Sequence, residues 1–342
     1  MMLASRLCSL HLAPLGRTSI IRVVQNSKLP STKSTSNELF RLYSNEGRGS
    51  WTKASPRRRT IKEIAMQPAS GTAINVGTAA VAGGAAVGIG ALCFYGLGFA
   101  SKPGAIDRSM MWPDYVKERI RSTYMYFGTS IALTAASAYA CFQSPVMVNL
   151  MMKNSFLAIG LSIAAVIGTS MIARSIPYTE GFGMKQAAWA LHTSVIGAVI
   201  APICFAGGPL LIRAAWYTAG IVGGLSTVAA CAPSEQFLNM AGPLAIGLGV
   251  VFAASLGSMF LAPTTALGSG LYSISLYGGL LVFSGFLLYD TQKIIKSAET
   301  HSPYAMEKYD PINRSMSIYM DTINIFIRIV SILSNGGSSK RR

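Results

Sequence analysis

Long apolar runs separated by short polar segments dominate the chain from residue 74 onward. In a window of about 19 residues, most of these runs reach the roughly 20 residues that a bilayer-spanning helix requires. The eight runs cover residues 74–97, 120–142, 155–173, 186–205, 209–231, 242–261, 270–289 and 312–333. The pattern therefore predicts an all-α membrane protein with about eight spans, the last being either a full span or a half-inserted hairpin.

The composition points to the same class of protein and disfavours an enzyme. Hydrophobic residues make up 51% of the chain and charged residues only 12%, whereas soluble domains are near a quarter charged. The sequence carries no P-loop, no metal-binding His cluster and no dinucleotide fingerprint. Tyr289-Asp290 resembles half of the intramembrane aspartyl protease signature, but Asp321 lacks the preceding GxGD that the other half needs. We therefore expect neither enzymatic activity nor a resident cofactor.

Positive charge is concentrated at the N-terminus. The formal net charge is +16, and residues 1–62 hold 12 Lys/Arg against two acids. No acid precedes Glu38, and basic residues recur among Ser, Thr and Leu as in a mitochondrial transit peptide. Arg41, Tyr43 and Ser44 lie in a segment similar to the R-x-Y/S site of the matrix processing peptidase, which predicts a mature N-terminus near Ser44. The alternative is a basic tail of a protein located elsewhere. Charge placed in this way does not predict nucleic-acid binding, which needs a basic stripe on a folded face.

The sequence divides into a targeting segment, a linker and one membrane domain. The predicted segments are a transit peptide (1–43), a polar basic linker (44–73), an extra transmembrane helix (74–97), a seven-helix membrane domain (98–335) and a basic C-terminal tail (336–342). Basic residues are nearly balanced between the two sides, so the orientation stays open. Gly84/Gly88 and Gly220/Gly224 have GxxxG spacing, which marks either a close helix approach or chance in helices rich in small residues.

Two acidic residues stand out because they fall in or at the end of apolar runs. An ionisable group at bilayer depth costs about 2.5–3.5 kcal/mol on insertion scales, so such an acid is a functional candidate. Asp290 ends the seventh run and Asp321 lies within the eighth. Two carboxyl groups brought together in a low dielectric share a proton, which they can exchange for a cation. Their oxygens suit Ca²⁺, and Asn324 is a candidate auxiliary ligand.

Each candidate also has a structural interpretation. Asp290 is followed by a polar segment and could cap the N-terminus of an interfacial helix. Asp321 shares one helix face with Arg314 and Arg328, either of which could form a structural ion pair with it. Arg174 ends the third run on the same predicted membrane side as Asp290, and it is either an interface anchor or a latch that pairs with ionised Asp290 and releases it on protonation.

The sequences Tyr289-Asp290-Thr291-Gln292 and Tyr319-Met320-Asp321-Thr322-Ile323-Asn324 resemble motifs of the Bax inhibitor transmembrane family. The resemblance covers about residues 115–335. It implies a seven-helix bundle in which the two Asp form a pH-sensing dyad that governs a Ca²⁺ leak, with Arg174 at the family's latch position. The extra Gly-rich span and the transit peptide are similar to those of the mitochondrial inner-membrane member of the family, which implies Ca²⁺/H⁺ exchange, support of cristae and restraint of cytochrome c release and apoptosis.

Two functions from different classes follow as expectations. The first is a Ca²⁺/H⁺ transporter or pH-gated Ca²⁺ leak of the mitochondrial inner membrane, with the lipid bilayer, Ca²⁺ and H⁺ as its partners. The second is a scaffold that organises cristae and binds respiratory or inner-membrane protease proteins, in which the acid pair only stabilises the bundle. Both can hold for one protein.

Overall fold

The structure is a computed structural model, and it describes residues 60–339 apart from 101, 147, 148, 150–155 and 234. The predicted transit peptide, its processing site at Arg41, Tyr43 and Ser44, and the first part of the predicted linker lie outside the described residues, so they stay predictions.

Eight long helices, α1 to α8, account for most of the described part of the chain, which contains no β-strand. Their bounds are α1 Thr72–Gly96, α2 Asp114–Gln143, α3 Phe156–Ser175, α4 Met184–Ile200, α5 Gly208–Cys231, α6 Ala241–Phe260, α7 Ala266–Thr300 and α8 Pro311–Ser339. Each helix coincides with one of the eight apolar runs. Short helical turns, such as Ala201–Ala206 after α4 and Leu238–Met240 before α6, extend two of them.

Six of these helices are long and apolar enough to cross a membrane, namely α1 and α4 to α8. In α3 the apolar part is shorter, at Ile159–Ser175. α2 begins with five charged residues between 114 and 121, and its apolar part follows. The prediction of an all-α, multi-pass membrane protein is confirmed.

Two alternatives for the last two helices are wrong. Asp290 does not cap a helix, because α7 continues through it to Thr300 and places it in the helix interior. The apolar run ends at residue 289 because the rest of α7 is amphipathic, and its polar side chains lower the mean hydropathy. The eighth run is not a hairpin, because α8 is one continuous helix from Pro311 to Ser339.

α8 is the central helix of the bundle formed by α2 to α8. Half of the residues in its most apolar stretch are buried, a larger share than in any other of the six candidate spans. The helix packs against α2, α5 and α7. The main core joins α5, α7 and α8 through small and branched side chains, including Ala214, Leu287, Ile318 and Ile325. This packing brings Asp290 on α7 beside Asp321 on α8.

α1 lies outside this core, on the surface formed by α5 and α7. Gly77 is its one buried residue in the described structure, and a side chain there would meet Tyr277 and Ser273. The backbone ahead of α1 is tied to the start of α7, with Ala69 donating to Thr264 over 2.8 Å and Ala266 donating to Gln67 over 2.7 Å. α1 is therefore attached at its N-terminal end, packs along one side on α5 and α7, and presents an apolar surface on its other side.

The two GxxxG pairs differ in what they contact. A Cβ at Gly84 would lie 2.6 Å from Leu281 of α7, and one at Gly88 would lie 3.9 Å from Leu225 of α5. A Cβ at Gly220 or Gly224 would meet nothing within 4 Å. Gly84 therefore marks a close approach of α1 to the bundle, whereas the second pair leaves an open apolar surface.

Candidate ion and proton site

The side chains of Asp290 and Asp321 interact directly across the interface of α7 and α8, within hydrogen-bonding range. Both residues are buried, with 8% and 6% of their surface exposed. Oδ2 of Asp321 is enclosed and accepts no hydrogen bond from any N–H or O–H group of the described residues. A buried carboxylate oxygen without a donor is costly. A proton held between the two carboxyl groups would supply the missing hydrogen bond.

The residues beside Asp290 hold it in place. Thr291 donates to the carbonyl of Leu287 over 2.7 Å and lies 3.5 Å from Ser226 of α5. Gln292 accepts from the backbone N–H of Phe237 over 2.8 Å, and it donates to the carbonyl of Ala229 in the last turn of α5 and to that of Pro233 just after the helix. The motif around Asp290 therefore attaches α7 to α5 and to the segment after it by polar contacts.

A polar cavity of about 790 Å³ opens above Asp290. We call this cavity the vestibule. Its wall comes from the end of α3 and the segment after it, the middle of α7, the loop between α7 and α8, and the first turns of α8. Asp290 and Ser317 lie in its lining, whereas Asp321 does not. The two acids are therefore unequal, since Asp290 borders the cavity and Asp321 lies behind it.

Arg174, the candidate latch, borders the same vestibule as Asp290. Its charge acts on Asp290, together with those of Lys293 and Arg314. None of the ion pairs within 4.0 Å in the described residues joins Arg174 to Asp290, and the Nε of Arg174 donates to Ser170 over 3.4 Å. The predicted placement of Arg174 on the side of Asp290 agrees with the structure, and its role as a latch stays a prediction.

The other candidates form no ion pair with Asp321 in the described residues, and Asn324 and Arg328 bind each other. Asn324 donates to the carbonyl of Met320, and its Oδ1 accepts from Arg328 over 3.1 Å. Arg328 also donates to the carbonyl of Ser275 and stacks on Phe283 with its guanidinium carbon 4.5 Å from the ring centre. In the described structure neither Arg314 nor Arg328 forms an ion pair with Asp321 within 4.0 Å. The amide of Asn324 is thus engaged by an arginine.

A buried lysine that the sequence did not single out organises the wall of the vestibule. Lys185 is fully buried at the start of α4 and forms an ion pair with Asp310 over 2.8 Å. Its Nζ also donates to the carbonyl of Ile176 over 2.8 Å and to Oδ1 of Asn313 over 3.0 Å. One ammonium group therefore joins the end of α3, the start of α4 and the start of α8. An isolated lysine at the edge of an apolar run was the only sequence signal for it.

Lys293 is the second residue that the sequence did not single out. It follows Asp290 by three residues, a spacing that places two side chains on one helix face. The sequence placed the end of the helix at residue 289, so this relationship was missed. Its ammonium group lies 5.4 Å from the centre of the Tyr289 ring.

Two tyrosines in the vestibule wall are uncharged at neutral pH. Burial raises the pKa of Tyr178 to about 12, and neighbouring Tyr126 adds to the shift. Burial also raises the pKa of Tyr309, whose hydroxyl lies 3.1 Å from that of Thr123. The formal charge of the vestibule at neutral pH therefore comes from its basic and carboxylic side chains.

Comparison with known proteins identifies the family. A family model described as "Inhibitor of apoptosis-promoting Bax1" matches residues 116–338, which covers α2 to α8 and both acidic motifs. The chain belongs to the Bax inhibitor family. The predicted family and its predicted extent of about residues 115–335 are confirmed.

Relatives of two kinds accompany this match. The chain is 51% identical to rat growth hormone-inducible transmembrane protein over 346 aligned residues, which cover 99% of this chain and 100% of the relative. It is 26% identical to rice Bax inhibitor 1 over 66% of this chain and 83% of the relative, and 25% identical to rat Bax inhibitor 1 over 66% and 89%. The first similarity extends through α1, whereas the two Bax inhibitor 1 matches span about the length of the seven-helix bundle.

Proposed function

We propose that this Bax inhibitor family protein is a Ca²⁺/H⁺ transporter or pH-gated Ca²⁺ leak, in which Asp290 and Asp321 bind a proton and a cation alternately. The observation that carries the proposal is the direct contact of two buried carboxyl groups, one bordering a polar cavity and the other behind it. A carboxyl pair of this kind carries one negative charge when it shares a proton and two when the proton leaves.

The chemistry of exchange follows from this change in charge. The deprotonated pair attracts a divalent cation, and a returning proton weakens that attraction. Ca²⁺ takes 6–8 oxygen ligands, so two carboxylates need further oxygens, which Ser317 and water entering through the vestibule would supply. A site with few protein ligands binds weakly, which suits an ion in transit.

Arg174 acts in this scheme as a latch. Ionised Asp290 attracts the nearby guanidinium, and the pair blocks the approach from the vestibule. Protonation of Asp290 removes the attraction, so the arginine moves away. The absence of an ion pair within 4 Å in the described residues fits the released form.

Localisation in the mitochondrial inner membrane is part of the same proposal. It is supported by the basic N-terminal segment and by the similarity to rat growth hormone-inducible transmembrane protein along the whole chain. A role in restraining apoptosis is supported by the description of the matching family.

A second candidate function, a scaffold for cristae and inner-membrane proteins, is favoured by α1. This helix packs against the bundle along one side and leaves large apolar side chains exposed, including Val76, Val87, Ile89 and Phe94. Such a surface fits either lipid or the transmembrane helix of a partner.

Reconstituted liposomes distinguish the two functions. Ca²⁺ flux should fall in Asp290→Asn and in Asp321→Asn, because each change removes a titrating carboxyl with little change of shape. Asp114→Asn is the matched control, because Asp114 is exposed at the start of α2 and pairs only with Lys117 in the described structure. Unchanged flux in both dyad variants would refute the transport proposal and leave the scaffold.

A further inference from the structure

The vestibule contains more positive charge than its acidic residues neutralise. Four basic side chains line it: Arg174, Lys293, Lys308 and Arg314. Lys308 is paired with Glu180 at the rim over 3.2 Å. The other three have no carboxylate within 4.0 Å in the described part of the chain.

The acidic side chains of the vestibule offset these three charges only in part. Asp310 is taken by the buried Lys185, and its Oδ1 accepts from the backbone N–H of Asn313 over 2.9 Å. Glu307 is exposed, and in the described residues its carboxylate lies more than 4.0 Å from each of the three cationic groups. Asp290 shares its proton with Asp321 in the proposed scheme, so the pair contributes one negative charge. The cations come from three helices and surround one space, with Asp290 at its floor.

We propose that the vestibule is a binding site for an oxyanion of the phosphate class, held by Arg174, Lys293 and Arg314. Two guanidinium groups and one ammonium group match the several oxygens of a phosphate, since arginine binds such groups through paired N–H donors and lysine binds them as a point charge. A phosphate group carries about −1.5 to −2 at neutral pH, which suits an excess of positive charge better than a single carboxylate does.

Neutral groups complete the site. The phenol of Tyr178 stays protonated at neutral pH and can donate a hydrogen bond in the vestibule wall. The cavity volume of about 790 Å³ exceeds what an inorganic phosphate fills, so a phosphate ester or a lipid headgroup also fits. Both sources present the same chemistry to the three cations.

Oxyanion binding and ion transport are separate properties. The three cations at the approach to Asp290 lack a carboxylate within 4.0 Å in the described residues and oppose the entry of Ca²⁺, and a bound phosphate group lowers this barrier. Only this consequence for cation entry rests on the proposed function. The binding itself rests on the charges and shape of the vestibule, so a protein that transports no Ca²⁺ would still bind the anion.

Thermal unfolding of the full-length protein in nanodiscs tests the proposal, because a ligand that binds the folded state raises the melting temperature in a concentration-dependent way. One arm titrates inorganic phosphate against chloride of equal ionic strength in nanodiscs of phosphatidylcholine. The second arm omits phosphate and replaces part of the phosphatidylcholine by phosphatidic acid, whose headgroup is a phosphate monoester. Stabilisation in the first arm identifies free phosphate, and stabilisation only in the second identifies a headgroup.

Substitutions assign the effect to the vestibule. Arg314→Gln and Lys293→Gln should each raise the half-saturating concentration about tenfold, since each removes a charge-assisted contact. Arg213→Gln is the matched control, because it removes one cation from the N-terminal end of α5, away from the vestibule lining. The proposal is overturned if neither arm stabilises the wild-type protein, or if the stabilisation is equal in Arg314→Gln, Lys293→Gln and Arg213→Gln.

Discussion

Asp290 and Asp321 contact each other although 31 positions separate them in the sequence, and Asp321 Oδ2 has no N–H or O–H donor among the described residues. This relationship exists because α8 occupies the centre of the bundle and α7 packs along it. It places the more enclosed carboxyl behind the one that borders the vestibule. The predictions below test this arrangement and the elements that hold it.

The buried Lys185 should be essential for the stability of the vestibule wall. Lys185→Ala leaves Asp310, the carbonyl of Ile176 and the amide of Asn313 without their shared donor. Removing one partner of a fully buried pair costs about 3–5 kcal/mol, and the cost here should be smaller because the Asp310 side chain is 21% exposed. In detergent, the melting temperature should fall strongly in Lys185→Ala and change little in Lys117→Ala, because the ion pair of Lys117 is exposed. Equal stability of the two variants would contradict the role of Lys185.

The latch hypothesis predicts a change in pH dependence. Arg174→Gln removes the guanidinium that competes for ionised Asp290, so Ca²⁺ flux in liposomes should rise on the alkaline side of neutrality and change little on the acidic side. A rise in flux confined to alkaline pH distinguishes a latch from a structural anchor, because loss of an anchor lowers flux at every pH. Arg213→Gln, with the same loss of charge outside the vestibule, should keep the wild-type profile.

The attachment of α1 depends on a glycine. In Gly77→Val the new side chain meets Tyr277 and Ser273, and overpacking of this kind costs about 1–3 kcal/mol. We expect the helix to separate from α7, which chemical cross-linking between α1 and α7 can measure. Gly83→Val is the control, because a Cβ there meets nothing within 4 Å. Undiminished cross-linking in Gly77→Val would show that the helix is held elsewhere.

The position of Arg328 depends on another glycine. A Cβ at Gly279 would overlap the guanidinium of Arg328, which bonds to the carbonyl of Ser275 and to Asn324. Gly279→Ala should displace the arginine and lower the melting temperature. Gly270→Ala is the control, because a Cβ at that position in α7 meets nothing within 4 Å. If the two variants have the same melting temperature, the contacts of Arg328 contribute little to stability.

The helices could be predicted from the sequence because each long apolar run has the length of a span, and all eight runs coincide with helices. The end of α7 could not be predicted, because hydropathy falls where the helix becomes amphipathic. The sequence therefore places Asp290 at the end of an apolar run, whereas it lies in the helix interior. The two acids were found because charge is rare in such a chain. Their contact depends on the packing of α7 on α8, which no spacing encodes.

The vestibule was harder to predict than the acid pair. Arg174 was found because it ends an apolar run. Lys293 was missed because the helix was ended too early, and Lys185 was missed because a single lysine beside a loop resembles an ordinary interfacial residue. Charges from three helices and a loop meet in the vestibule, so their relationship exists only in the folded bundle.

The most direct test of the central claim is the movement of protons that accompanies Ca²⁺ in sealed liposomes. An outward Ca²⁺ gradient across the membrane, with a pH-sensitive dye inside and the electrical potential clamped, reports whether the two ions are coupled. If the protein exchanges the two ions, Ca²⁺ efflux should acidify the interior in the wild type and in Asp114→Asn, whereas a pH-gated leak should give efflux without acidification. In either case the Ca²⁺-dependent signal should be lost in the doubly substituted Asp290→Asn/Asp321→Asn protein. A Ca²⁺-dependent signal that persists at the wild-type rate in the doubly substituted protein would contradict the central claim.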